Sequence, residues 1–171
     1  MALYSYSAKS VAVIVGGARL TGLGPDEFLT IEVNDDDWSE TEGADGHVVR
    51  SLMPNTLANG TITLQQSSPF NEVFTSMRNR DTGRATGEGF TVSSGVVNFE
   101  VKDLLSGEKL SASKMYIKKM SPRPYAKSAG TREWTFTLVD PIFSVSKANT
   151  VVQQILDQVF GAIDLTNSIT G

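Results

Sequence analysis

The sequence predicts a mainly β chain, an antiparallel sandwich or half-barrel with one short helix and a C-terminal amphipathic helix. Three observations carry this. Apolar and polar residues alternate with a period of two over several stretches. Gly, Pro and Asn punctuate those stretches, and only two segments switch to the 3.6-residue period of a helix. The expected division is a β domain over 1–147 and a helical extension over 148–171.

In chain order, Val11–Val15 is a short apolar run ended by Gly16-Gly17, and Phe28–Val33 alternates Phe28 and Thr30 with Leu29 and Ile31. Asn59-Gly60 carries a hairpin-type turn signal, with Pro54 upstream opposing unbroken pairing into it. Thr61–Gln66 then alternates Thr61, Thr63 and Gln65 with Ile62 and Leu64. A helix is expected from Ser68 as N-cap and Pro69 at the first position, with Phe70, Val73, Phe74 and Met77 following, to an end before Gly83. Val96–Asp103 alternates again, Tyr116 and Ile117 follow, and Thr131–Val139 sets Arg132, Trp134, Phe136 and Leu138 against Glu133, Thr135 and Thr137. From about Asn149 to Phe160, Val151, Val152, Ile155, Leu156, Val159 and Phe160 form one apolar stripe, which Gly161 ends. That stripe needs a partner: its own sheet by default, a neighbouring subunit otherwise. Asn34–Gly46, acidic with Trp38 in its middle, and Asn79–Gly89 read as long loops. An exposed Trp38 would serve as an interface anchor; the alternative is that it folds back on its own domain.

The net charge of −4 conceals a segregation. Leu20–Val49 holds nine of the nineteen acids and no Lys or Arg, so it carries −9 and the rest of the chain +5. Lys102–Arg132 carries +6. Two solvated faces of opposite sign are one reading; the other is a head-to-tail contact between subunits, which closes into rings or propagates as a filament.

Motifs for chemistry are missing. The chain has no cysteine, so disulfides and thiolate chemistry are excluded, and the single His47 rules out a multi-histidine metal site. Asp35, Asp37 and Ser39 begin like a calcium loop, but the sixth position is Glu40 where a glycine is needed. Gly22-Leu23-Gly24 is no dinucleotide fingerprint, and neither a phosphate loop nor a GxSxG elbow occurs. No apolar run approaches the ~20 residues of a membrane span, and the first residues lack the features of a signal peptide. No catalytic, metal or cofactor residue is therefore expected. An enzyme ranks behind a structural protein and behind a soluble β-sandwich binding module.

The ordered motifs Arg19-Leu20-Thr21-Gly22, Phe28-Leu29-Thr30-Ile31, Gly43-Ala44-Asp45-Gly46, Gly60–Ser68 with Asn71, Tyr116-Ile117-Lys118-Lys119 with Pro122, and Arg132–Phe136 resemble tail tube proteins of contractile-tailed bacteriophages. The resemblance spans Tyr4 to Asp140; the helix after Asn149 departs from it. It implies a structural, non-enzymatic virion component without cofactors, assembled in the host cytoplasm. Stacked homohexameric rings would close their strands into a shared β-barrel. The implied partners are further copies of the chain, the tail sheath, the tape measure protein, baseplate and tail terminator proteins, with DNA as transient non-specific cargo. The inner tube of a tailocin or type VI secretion-like machine is the related alternative.

Within that frame, Thr61, Thr63, Gln65, Glu133, Thr135 and Thr137 are candidates to line the lumen, because such side chains do not hold DNA by phosphate contacts. Asp35, Asp36, Asp37, Trp38, Glu40, Glu42 and Asp45 on one side, and Lys118, Lys119, Arg123 and Lys127 on the other, are candidates for the contact between rings.

Overall fold

The computed structural model describes residues 6–54, 57–84, 95–145 and 154–160. An eight-stranded antiparallel sheet runs in the order β2 (Ala18–Arg19), β1 (Val11–Val15), β7 (Val97–Asp103), β8 (Glu108–Met120), β9 (Thr131–Val139), β6 (Leu57–Gln65), β3 (Leu29–Val33). Strand β10 (Ile142–Val145) pairs with the first part of β8, while β9 pairs with the rest. Strands β4 (Trp38–Glu42) and β5 (Val48–Leu52) form a separate two-stranded hairpin. Helix α1 covers Phe70–Asp81, and 154–160 form a second helix, α2.

The alternation visible in the sequence becomes a two-faced sheet. On one face lie Val13 and Val15, Phe99, Met115 and Ile117, Trp134, Phe136 and Leu138, and Ala58, Ile62 and Leu64, all buried in one cluster. Val11 on β1 and Leu29 and Ile31 on β3 pack against that same cluster. Strands from opposite ends of the sheet order thus meet one core, so the sheet curls into a half-barrel. Helix α1 lays Phe74 and Met77 into it, with Glu72 at its positive end and Arg78 and Arg80 at its negative end.

Trp134, in the middle of β9, joins sheet to helix. Phe74 meets its ring edge-on at 5.6 Å, and its indole Nε1 donates to Asn71 Oδ1 at 3.0 Å. The Asn71 amide in turn donates to the carbonyls of Gln65, Gln66 and Ser68 at 2.9, 3.3 and 3.1 Å, holding the turn that leads from β6 into α1. Ser68 is one residue further out than a cap: Pro69 occupies the cap position. The Ser68 hydroxyl accepts from Phe70 N at 3.3 Å and donates to the Thr21 carbonyl at 2.7 Å. Gly22 beside it has φ +70 and lies against Ser68, so a side chain fits there on neither count.

Two local expectations are corrected. Asn59-Gly60 is not a turn but the interior of β6, where Gly60 pairs with Ile31 on one side and Phe136 on the other. An added Cβ would fall 2.6 Å from Cε2 of Phe136 and closer still to Cζ, so the glycine makes room for a ring. Asn34–Gly46 is not one loop, because β4 occupies its middle. Both faces of that hairpin are exposed, which leaves no alternation of burial to read. Residues 79–81 of the second expected loop belong to α1, and 85–89 lie outside the described residues, as do 149–153 of the expected terminal helix.

Gly60→Ala is expected to lower stability by about 1–3 kcal/mol through overpacking, seen as a lower denaturant midpoint at unchanged slope. Adding Phe136→Leu in the same chain should return part of the loss. Asn71→Ala strands the buried indole N–H of Trp134 and should cost about 1–3 kcal/mol in the same measurement.

Candidate functional site

The face of the sheet opposite the core carries a polar surface. The register sets Thr30, Thr61, Thr135 and Lys119 in one cross-strand row, and Glu32, Asn59, Thr137 and Tyr116 in the next. Thr63 stands opposite Glu133 and Gln65 opposite Thr131. All six residues expected to line a lumen therefore share one face. Thr137 is buried, and its hydroxyl donates to Asn59 Oδ1 at 3.0 Å, so Asn59 is the more accessible of that pair. Asn59 was concealed in the sequence by its apparent turn signal. The acids Glu32 and Glu133 are matched in number by Lys114 and Lys119 on the same face. Such a surface presents no continuous cationic track for a nucleic-acid backbone.

Further along the same face, Glu100 accepts from Lys102 at 2.8 Å and from Lys109 at 3.0 Å, although these lysines are directly opposite each other across β7 and β8. Hydrogen bonds from the two ammonium groups hold the Glu100 carboxyl below its ordinary value of 4.5. Asp103 closes the β7–β8 turn. Its carboxylate accepts from Leu105 N at 2.9 Å, Ser106 Oγ at 2.8 Å and Ser10 Oγ at 3.0 Å, and the Leu105 and Ser106 bonds lower its proton affinity most.

The acidic candidates gather on and around the β4–β5 hairpin. Asp35, Asp36 and Asp37 precede β4 and edge a depression of about 430 Å³ with Val33, Leu57 and Phe143. Register puts Trp38, Glu40 and Glu42 on one hairpin face with Leu52, Arg50 and Val48, and leaves Ser39, Thr41, Val49 and Ser51 on the other. The Arg50 guanidinium sits 3.8 Å over the Trp38 ring, so Trp38 folds onto its own hairpin while staying 41 % exposed. Asp45 lies at the hairpin turn, accepting from His47 N at 3.2 Å.

The basic candidates divide. Lys118 and Lys119 are exposed at a bulge in β8, and Lys127 is exposed on the β8–β9 loop. Arg123 differs: it is half-buried, lies 5.0 Å over Trp134 and donates to Thr75 Oγ1 at 3.2 Å, which makes it a packing residue. Arg132 is buried too, donating to the Pro124 carbonyl at 2.9 Å and stacking on Tyr125 at 5.0 Å. These two arginines fasten the 121–130 loop, leaving Tyr125 80 % exposed. Sequence spacing did not distinguish these fastened cations from the free ones.

Among the described residues no group of three or more His, Cys, Asp or Glu could hold a metal ion. Among them, no helix is long and apolar enough to cross a membrane.

Comparison with known proteins agrees with this geometry. The family described as the bacteriophage PhiTE tail tube protein matches residues 1–142. A structural protein, ORF10, of Pseudomonas phage KPP10 is 23 % identical over 145 residues, covering 81 % of this chain and 80 % of that protein. The fold is similar to the tube-terminating cap of the anti-feeding prophage, with TM-score 0.56 and 8 % identity over 85 % of this chain and 95 % of the other. It is also similar to two structures from the PVC extracellular contractile injection system in the extended state. The sheath/tube terminator gives a TM-score of 0.54 at 11 % identity, covering 84 % of this chain and 99 % of that one. The sheath–tube complex gives 0.52 at 11 % identity, covering 83 % and 93 %.

Because Glu100 and Asp103 both bind protons less readily in the folded chain, the stability they contribute is complete above the ordinary carboxylate range. It is lost as pH falls through their lowered folded values. The melting temperature should therefore fall with pH below about 4.5, the ordinary Glu100 value. In Glu100→Gln that fall should be shallower. At neutral pH the variant leaves Lys102 and Lys109 facing each other and should lose about 1 kcal/mol or less, with the loss changing as salt is added.

Proposed function

The chain belongs to the bacteriophage PhiTE tail tube protein family and is a structural tube protein rather than an enzyme, and from that premise we propose that it builds the tail tube as stacked hexameric rings. The family match over residues 1–142 carries this reading. Each subunit contributes its curled sheet to a common barrel, with the Thr61–Thr135 and Thr63–Glu133 rows turned to the bore. A surface of threonines, Asn59 and Gln65, with acids and lysines interspersed on it, supports passage of DNA without retention. Closing the sheets on one another removes the free edges that β3 and β1–β2 otherwise present. The tube encloses the tape measure protein during assembly, carries the sheath outside, and ends on terminator and baseplate proteins. The particle is a virion tail, put together in the host cytoplasm.

Between rings, the acidic hairpin region from Asp35 to Asp45 meets the exposed lysines Lys118 and Lys127 of the next copy, while Lys119, in the Thr61–Thr135 row, belongs to the bore face. The fastening of half-buried Arg123 and buried Arg132 narrows the basic side to Lys118 and Lys127. The similarity to a sheath–tube complex of an extracellular injection system supports a second reading, in which the same tube serves an injection machine rather than a phage.

Purified protein at high concentration should form rings and tubes in negative-stain images. Replacing Asp35, Asp36 and Asp37 together by Asn should shorten or abolish them while circular dichroism and melting stay unchanged. Monomers alone at every salt concentration would overturn the tube. Unchanged tube length in the triple variant would overturn only the electrostatic contact.

A further inference from the structure

Two apolar surfaces of the chain are left uncovered. Helix α2 exposes Ile155 at 52 %, Leu156 at 41 %, Val159 at 52 % and Phe160 at 60 %, the stripe that defines its amphipathic face. A helix this short holds poorly in water unless that face is packed. It also lies beyond the 1–142 segment matched by the family, so what it does is additional to the shared domain.

The second surface is a groove of about 320 Å³ where the two ends of the curled sheet approach without pairing. Its floor is Val11 from β1, Leu29 and Ile31 from β3, Leu110 from β8 and Phe143 from β10. Phe143 is 53 % exposed there.

We infer that α2 of one copy packs into this groove on a neighbouring copy, clasping adjacent subunits. The occupant follows from how the two surfaces can be covered. Packing α2 against a second α2 covers the helices and leaves every groove open. On its own chain, α2 leaves both its stripe and the groove open. Helix-in-groove pairing between copies covers both at once, and it is a heterologous contact of the kind that runs on around a ring or along a filament. Reach permits it. The eight residues between Val145 and Gln154 can span at most about 28 Å, nearly twice the radius of gyration of about 15 Å for a chain of this length. Charge permits it as well. The groove is edged by Asp103 and Glu108, the apolar stripe of α2 is uncharged, and helical geometry puts Asp157 on the side away from that stripe.

The inference rests on the tube reading only in requiring that copies stand side by side, and the absence of cysteine gives a clean test. Val159→Cys and Phe143→Cys chains, mixed and oxidised during assembly, should give a disulfide-linked species of twice the chain mass, with neither variant giving it alone. A second pair, Leu156→Cys with Leu29→Cys, guards against one mispositioned sulfur. Intrachain closure in the double variant at high dilution, without interchain product in the mixture, would overturn the inference in favour of the chain's own groove. No cross-link in either pair would overturn it outright. Negative-stain images of the wild type separate the two claims: tubes without the cross-link reject the clasp alone, and the cross-link without tubes rejects the tube reading.

Discussion

The packing of Trp134 against Phe74, with its indole N–H on Asn71, is the contact on which the rest of the structure depends. A single sheet buries only one face by itself if something covers that face, and here the cover is a twelve-residue helix. Its position is set by one tryptophan, one asparagine and the turn that the asparagine holds. The Asn71 amide bonds three carbonyls of that turn, and Gln66 exchanges bonds with Gly130 at the start of β9. The β6–β9 pairing, the most extensive in the sheet, is thereby locked to the helix. A slip of β9 by one residue in that pairing would turn Trp134 and Phe136 outward while Ile62 stayed in the core.

Locking the register has a second consequence, on the opposite face. The same alternation that gathers the core aligns Thr61 with Thr135, Thr63 with Glu133 and Asn59 with Thr137. The polar rows are thus not independent of the core; they are its complement across the pleat. Gly60 shows how tightly the two are linked, because the space for the Phe136 ring is taken from a residue that reads locally as a turn. Around this rigid sheet the chain places elements that bury little of themselves: the acidic β4–β5 hairpin, the 121–130 loop fastened by Arg123 and Arg132, and α2. A subunit whose protrusions are exposed and whose centre is closed is suited to work through contacts with other chains.

Much of this was legible in the sequence where burial is one-sided. Val96–Asp103 and Thr131–Val139 show the period of two, and the helix after Pro69 shows its apolar spacing, because each has one face in the core, while Val11–Val15 was marked by an unbroken apolar run. The β4–β5 hairpin was not legible, since neither of its faces is buried and acids populate one of them. Asn59-Gly60 misled because a local turn preference was overridden by a ring two strands' pairing away in sequence but adjacent in space. Six of the nine acids between Leu20 and Val49 lie on or around the β4–β5 hairpin, where the sequence suggested a loop. Charge counting could not show which cations are held in place, because the fastening of Arg123 and Arg132 and the pairing of Lys102 and Lys109 with Glu100 depend on tertiary neighbours.

The central claim is that the sheet's two faces have two destinations, one closed on α1 and the other turned to a bore. A cryo-EM reconstruction of assembled tubes tests it most directly. The expected density has β6 and β9 lining the channel, with Thr61, Thr63 and Thr135 toward the axis and α1 on the far side of the sheet. A tube in which α1 faces the channel and the threonine rows face outward would contradict it.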